Sequence, residues 1–162
     1  MHTAFIALGS NLGGPEAKVR QGIAALAELP QVQLVAASAL YRSAAIGHAD
    51  QPDFVNAVAQ LSTELAPQTL LAALLGIERR FGRERSFRNA PRTLDLDLLT
   101  YGTLRHHEHG LTVPHPQMHL RAFVLRPLLE IEPGCMIPGV GAAAEALRQC
   151  TGQDLEQVAD GA

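Results

Sequence analysis

The stretch Leu94-Asp95-Leu96-Asp97-Leu98-Leu99-Thr100-Tyr101 alternates apolar and acidic residues and then turns β-prone, the pattern of a strand with two different faces. Residues 67–81 precede it, with Leu70, Leu74, Ile77 and Phe81 on one helical stripe behind Pro67 at the first helical position. Further upstream, residues 31–42 and 54–63 read as extended, separated by a polar loop over 43–53 that contains Gly47 and Pro52. Residues 3–8 form a short apolar run closed by Gly9-Ser10-Asn11, a strand ending in a turn. Pro15 opens a helix with Val19, Ile23, Leu26 and Leu29 on one side, and Pro30 ends it. The order is β-α-β-β-α-β, which predicts an α+β fold of the ferredoxin-like type. Its helices pack on one face of an antiparallel sheet, leaving the other for loops, a ligand or the remaining chain.

Beyond Gly102 the pattern predicts a His-rich loop, a Pro-His-Pro turn, an apolar stretch over 123–131 and a last helix near 142–150, with a frayed tail after about residue 151. This C-terminal extension completes a single domain, 1–162. A chain of 162 residues that is 47% hydrophobic can bury one core and is too short for two. A net charge of -3 supplies no global basic field for duplex nucleic acid or an anionic membrane. Two cysteines without CxxC spacing indicate neither a disulfide framework nor a zinc knuckle. The start of the chain has no basic leader and only a short apolar run, so a cytoplasmic protein is expected, acting as a monomer with no nucleic-acid or membrane partner.

Asp95 and Asp97 share one face of their strand, opposite Leu94, Leu96 and Leu98. Aspartate is depleted in strands, and an isolated DxD most often marks a solvated edge. The upstream residues change that balance, since six of the 13 basic residues are Arg79, Arg80, Arg83, Arg85, Arg88 and Arg92. Guanidinium forks match phosphate oxygens, and carboxylates about 7 Å apart along a strand can converge on magnesium ions shared with those phosphates. Arg79 and Arg80 are accounted for by a helix C-terminus, whereas Arg92, leading straight into the strand, is not. Gly9-Ser10-Asn11-Leu12-Gly13 lacks the ending of a phosphate loop and reads as a turn. The cluster His106-His107-Glu108-His109 reads as a solvent-exposed loop rather than a metal site, while His115 between two prolines is placed either to donate to a phosphate or to pack in a turn.

The segment Arg88-x-Ala90-Pro91-Arg92-x-x-Asp95-Leu96-Asp97-Leu98-Leu99 resembles the signature of the 6-hydroxymethyl-7,8-dihydropterin pyrophosphokinases. Ala7-Leu-Gly-Ser-Asn-Leu12, Tyr41-Arg42, Gln51-Pro-Asp-Phe-Val-Asn-Ala57, Ile77-Glu78, Gly82-Arg83-x-Arg85 and Leu111-Thr-Val-Pro-His115 with Arg121-x-Phe123 follow in the family's order, so the resemblance covers roughly residues 3–133. It implies transfer of pyrophosphate from ATP to the hydroxymethyl oxygen of the reduced pterin in folate biosynthesis, releasing AMP. By the same resemblance Asp95 and Asp97 hold two Mg2+ ions, and Arg83 and Arg92 handle phosphate with Arg85 and Arg88. Phe54 and Phe123 sandwich the pterin, Asn56 reads its amide edge, and Ser43, Ala45 and Ile46 add contacts. Leu71, Ile77, Glu78, Leu98, Thr112, His115 and Arg121 match ATP-side positions. The chain departs from the family's pattern at Asn89, where tryptophan is frequent, and at Pro116, where tyrosine is.

Two rivals are a non-catalytic ferredoxin-like module binding a nucleotide or single-stranded RNA, and a two-metal phosphotransferase with another acceptor. The first has no need of an intact DxD. The second has no need of Phe54, Asn56 and Phe123 together, a set suited to a flat heterocycle.

Overall fold

A computed structural model describes residues 1–11, 13–43, 53–83 and 94–158, with the side chain of Arg83 outside the description. Five of the six predicted core elements appear where their sequence patterns put them. They are β1 (His2–Ser10), α1 (Pro15–Ala27), β4 (Phe54–Thr63), α2 (Pro67–Glu78) and β5 (Asp95–Tyr101). The sixth, predicted as one extended stretch over 31–42, is two strands, β2 (Val32–Ala37) and β3 (Tyr41–Ser43), both paired antiparallel with β4. Between them Ser38 N–H donates to Val58 O at 2.9 Å, and Ser38 Oγ accepts from Val58 N–H at 3.0 Å. A side-chain oxygen thus replaces one rung of the ladder and splits the strand.

β1 lies between β4 and β5, so the four core strands stand in the spatial order four, one, three, two of a split βαβ sheet, every pair antiparallel. On one face α1 and α2 bury Val19, Leu26, Leu70, Leu74 and Ile77 against Ile6, Leu8, Leu61, Leu96 and Leu98. Gly22 is what lets α1 sit so close, since a Cβ there would meet Leu8 and Leu94 side chains at 3.0 Å. Phe81, the last residue of the predicted stripe, is only partly buried, in a π-type turn over Arg79–Arg83.

The opposite face is covered by two helices of the C-terminal chain, while Leu111 and Val113, just after the sheet, join the α1 and α2 core. A hairpin of β6 (His106–Glu108) and β7 (Leu111–Val113) follows β5, replacing the expected His-rich loop, although His107, Glu108 and His109 are solvent-exposed as expected. Then come α3 (Ala122–Ile131), a two-residue ladder of β8 (Met136–Ile137) and β9 (Gly141–Ala142), and α4 (Ala143–Gln149). Helices α3 and α4 pack Val124, Leu125, Leu128 and Ala143 onto Phe5, Val58 and Leu99. The tail is not frayed through residue 158: β10 (Leu155–Gln157) pairs antiparallel with β3 and extends the sheet. No helix among the described residues is long and apolar enough to cross a membrane.

Candidate active site

On the face beneath α3 and α4, the adjacent strands β4, β1 and β5 each change character along their length. Side chains shrink along β1 from Phe5 through Ala7 to Gly9, turn polar along β4 from Val58 to Asn56, and turn acidic along β5 from Leu99 to Asp97 and Asp95. The register aligns these changes, with Val58, Ala7 and Asp97 in one row and Asn56, Gly9 and Asp95 in the next. The apolar ends lie in the second core. The other ends floor a cavity of about 850 Å³, a volume suited to a small-molecule ligand.

Asn56 is 5% exposed, and its Nδ2 donates to Ser43 Oγ at 2.9 Å, which fixes the amide plane. A Cβ on residue 9 would stand 3.3 Å from Asn56 Oδ1, so glycine keeps that acceptor clear. Phe54 and Phe123 are half-buried on the cavity wall. The Arg121 guanidinium lies 5.5 Å from the centroid of the Phe123 ring, and its Nη2 donates to Gln117 Oε1 at 2.6 Å.

A second cavity, of about 420 Å³, opens beside β5, lined by Leu71, Leu75 and Glu78 of α2, Leu98 of β5, Thr112 of β7 and the turn residues His115 and Pro116. Among the described residues, only Asp95 and Asp97 line both cavities. Two neighbours hold the backbone between and beyond these carboxylates: Glu78 Oε2 accepts from Leu96 N–H at 2.7 Å, and Leu99 O accepts from His115 N–H at 2.8 Å. Both bonds occupy the outer edge of β5, which would otherwise be open.

Burial pushes the His115 imidazole below its usual range; the Asp97 carboxylate opposes this and the Arg121 guanidinium reinforces it. Burial thus favours the neutral form of the His115 ring. Its Nδ1 accepts from Gln117 N–H at 3.1 Å, which leaves the proton on Nε2 as a donor. On β7, Thr112 Oγ1 is 2.8 Å from His107 Nδ1.

Of the residues expected around the pterin, Ser43, Phe54, Asn56 and Phe123 all line the first cavity. Of those expected on the ATP side, Leu71, Glu78, Leu98, Thr112 and His115 line the second. Arg121 lines the first cavity instead, and Ile77 is 1% exposed in the core and lines neither. Arg83 ends the π-type turn, while Ala45, Ile46, Arg85, Arg88 and Arg92 lie outside the described residues. The sequence reading missed Ala7 and Gly9, although the shrinking series at positions 5, 7 and 9 was there to be read. It also missed Gln117 and residues 152–155, which carry no local signal.

The family described as 7,8-dihydro-6-hydroxymethylpterin-pyrophosphokinase matches residues 5–133. The chain belongs to this family. Among curated pyrophosphokinases named for 2-amino-4-hydroxy-6-hydroxymethyldihydropteridine, that of Pseudomonas aeruginosa is 45% identical over 154 residues, covering 95% of each chain. That of Haemophilus influenzae is 44% identical over 149 residues, covering 92% of this chain and 93% of its own. Solved HPPK-DHPS structures share the fold: one from Plasmodium falciparum superposes with a TM-score of 0.72 over 91% of this chain at 12% identity. This pyrophosphokinase chain spans 45% of that longer one.

Proposed function

We propose that the chain transfers the terminal pyrophosphoryl group of ATP to the hydroxymethyl oxygen of 6-hydroxymethyl-7,8-dihydropterin, giving AMP and the pterin diphosphate in folate biosynthesis. The observation that carries this reading is the meeting of two separate cavities at one pair of carboxylates. The larger cavity takes the pterin. Phe54 and Phe123 offer faces for a flat ring, and Asn56, its Nδ2 committed to Ser43, offers Oδ1 to the N–H groups of the pterin edge. The smaller takes the nucleotide, with Leu71 and Leu98 as apolar surfaces and His115 Nε2 as a donor to phosphate oxygen.

Asp95 and Asp97 are the residues that would hold magnesium, as two ions. Their hard oxygens fit this ion, and both side chains line the two cavities, where phosphate and water could supply its remaining ligands. Such ions supply charge neutralisation and alignment of the two reacting oxygens. The chain's own contribution is positional. With the pterin held against Phe123 and Asn56, its hydroxyl faces the aspartate row, and the phosphate chain reaches the same row from the other cavity. The hydroxyl oxygen attacks the β-phosphorus, its proton passes to water, and AMP leaves with the bridging oxygen. Arg83 and Arg92, assisted by Arg85 and Arg88, counter the charge that grows on the transferred group. One chain lines both cavities, which suits a monomer working on small molecules.

Asp97→Ala tests the assignment, because Asp97 is exposed and its loss leaves the core intact. AMP formation should fall by about 10²-fold or more, some 3 kcal/mol of barrier, with an unchanged circular-dichroism spectrum. Retained turnover would remove the metal role. For Arg92→Ala the loss should appear in kcat; an effect confined to KM for ATP would restrict Arg92 to ground-state binding.

A further inference from the structure

The chain between α4 and β10 carries Gln153, whose carboxamide makes two bonds to one short piece of backbone. Oε1 accepts from Ala122 N–H at 2.9 Å, and Nε2 donates to Leu120 O at 3.0 Å. These two groups flank Arg121. Ala122 is the first residue of α3, and its N–H belongs to the helix's first turn, which lacks intrahelical acceptors. No side chain of the N-cap residue Arg121 satisfies it; the cap comes instead from 31 residues further along the chain. Clamped on both sides, the extended backbone of Arg121 fixes where the guanidinium and the Phe123 ring meet on the cavity wall.

Two residues after Gln153 the same segment reaches the opposite wall. Leu155 pairs with Ser43, and Ser43 holds the amide of Asn56. Residues 152–155 themselves line the cavity between these two contacts. We propose that residues 153–155 form a strut that sets the distance between the Phe123 shelf and Asn56, and that Gln153 is a positioning residue for the flat acceptor. The inference rests on the reading of the larger cavity as the pterin site. The strut spans only the acceptor cavity. None of its residues lines the nucleotide cavity, so its loss acts on one substrate.

Gln153→Ala and Gln153→Glu in the full chain test this. Glutamate keeps an acceptor for Ala122 N–H but has no donor for Leu120 O, so Gln153→Glu should retain more of the Ala122 protection than Gln153→Ala and less than wild type. The expected result for Gln153→Ala is a rise of about tenfold in KM for the pterin, KM for ATP within twofold, and amide hydrogen exchange at Ala122 at least tenfold faster by NMR. A merely structural role predicts a lower melting temperature with both KM values unchanged or moving together. That pattern, or unchanged exchange at Ala122, overturns the proposal. If the wild-type chain forms no AMP, the functional reading falls and takes the acceptor role with it; Ala122 exchange then still reports whether the clamp is made.

Discussion

At residue 9 a single methyl group separates an open site from an obstructed one. Gly9 has an ordinary strand backbone, so Gly9→Ala should fold, but its Cβ would stand 3.3 Å from Asn56 Oδ1 and press on the acceptor proposed for the pterin. KM for the pterin should rise about tenfold, ~1.4 kcal/mol of binding, with KM for ATP unchanged in steady-state assays. Tyr41 marks a residue-scale dependence on pH. Its hydroxyl donates to Glu130 Oε1 at 2.5 Å, and Glu130 also accepts from Ala39 N–H, tying the break between β2 and β3 to α3. Burial first, then the Glu130 bond and charge, push the phenol up to about 12, against the opposing Arg126 guanidinium. An unfolded tyrosine ionises near 10, so between these values the unfolded chain binds fewer protons, and the stabilisation present below pH 10 is lost as pH rises through 12. Urea unfolding should show wild type losing about 1.4 kcal/mol more than Tyr41→Phe between pH 8 and pH 11. At pH 8 the same variant should be less stable by roughly 1 kcal/mol, one buried hydrogen bond.

At the scale of elements, β5 is an edge strand whose exposed side is claimed by Glu78 and His115. Glu78→Ala would strand the Leu96 N–H beneath α2 and should cost about 2–3 kcal/mol in urea unfolding, a charge-assisted bond plus an unsatisfied donor. Because Leu96 lies between the two aspartates, kcat should fall as well; a stability loss with kcat unchanged would show that the bond does not position them. The strands and helices legible in the sequence are those whose burial follows a local period: the stripe at Leu70, Leu74 and Ile77, and the row Leu94, Leu96, Leu98. The break at Ser38 was not legible, because it depends on Val58, twenty residues away, donating its N–H to a side chain instead of a ladder carbonyl. Nor was β10, whose Leu-Glu-Gln has no apolar pattern and becomes a strand only by pairing with β3. In the site, the aspartate row could be read from alternation. Nothing local to Phe54 or Phe123 separates a ring shelf from a core position, so the resemblance is what gives them a role, and the wall at residues 152–155 needs the tertiary fold.

For the whole molecule, one sheet serves two cores. Its lower face closes over α1 and α2, and its upper face divides between α3 with α4 and the larger cavity. Both cores share β1, β4 and β5, so we expect 1–162 to unfold as one domain, with far-UV circular dichroism and the accessibility of the buried Cys135 thiol changing at the same urea concentration. Two separated transitions would divide the chain into independent units. The same geometry bears on the proposed chemistry, since the aspartate pair lines both cavities and is where the proposed acceptor and phosphate chain would meet. The most direct measurement is 31P NMR of the full chain turning over ATP, magnesium and 6-hydroxymethyl-7,8-dihydropterin. AMP and a pterin diphosphate should grow in equal amounts; ADP with a pterin monophosphate would place the attack at the γ-phosphorus and contradict pyrophosphoryl transfer.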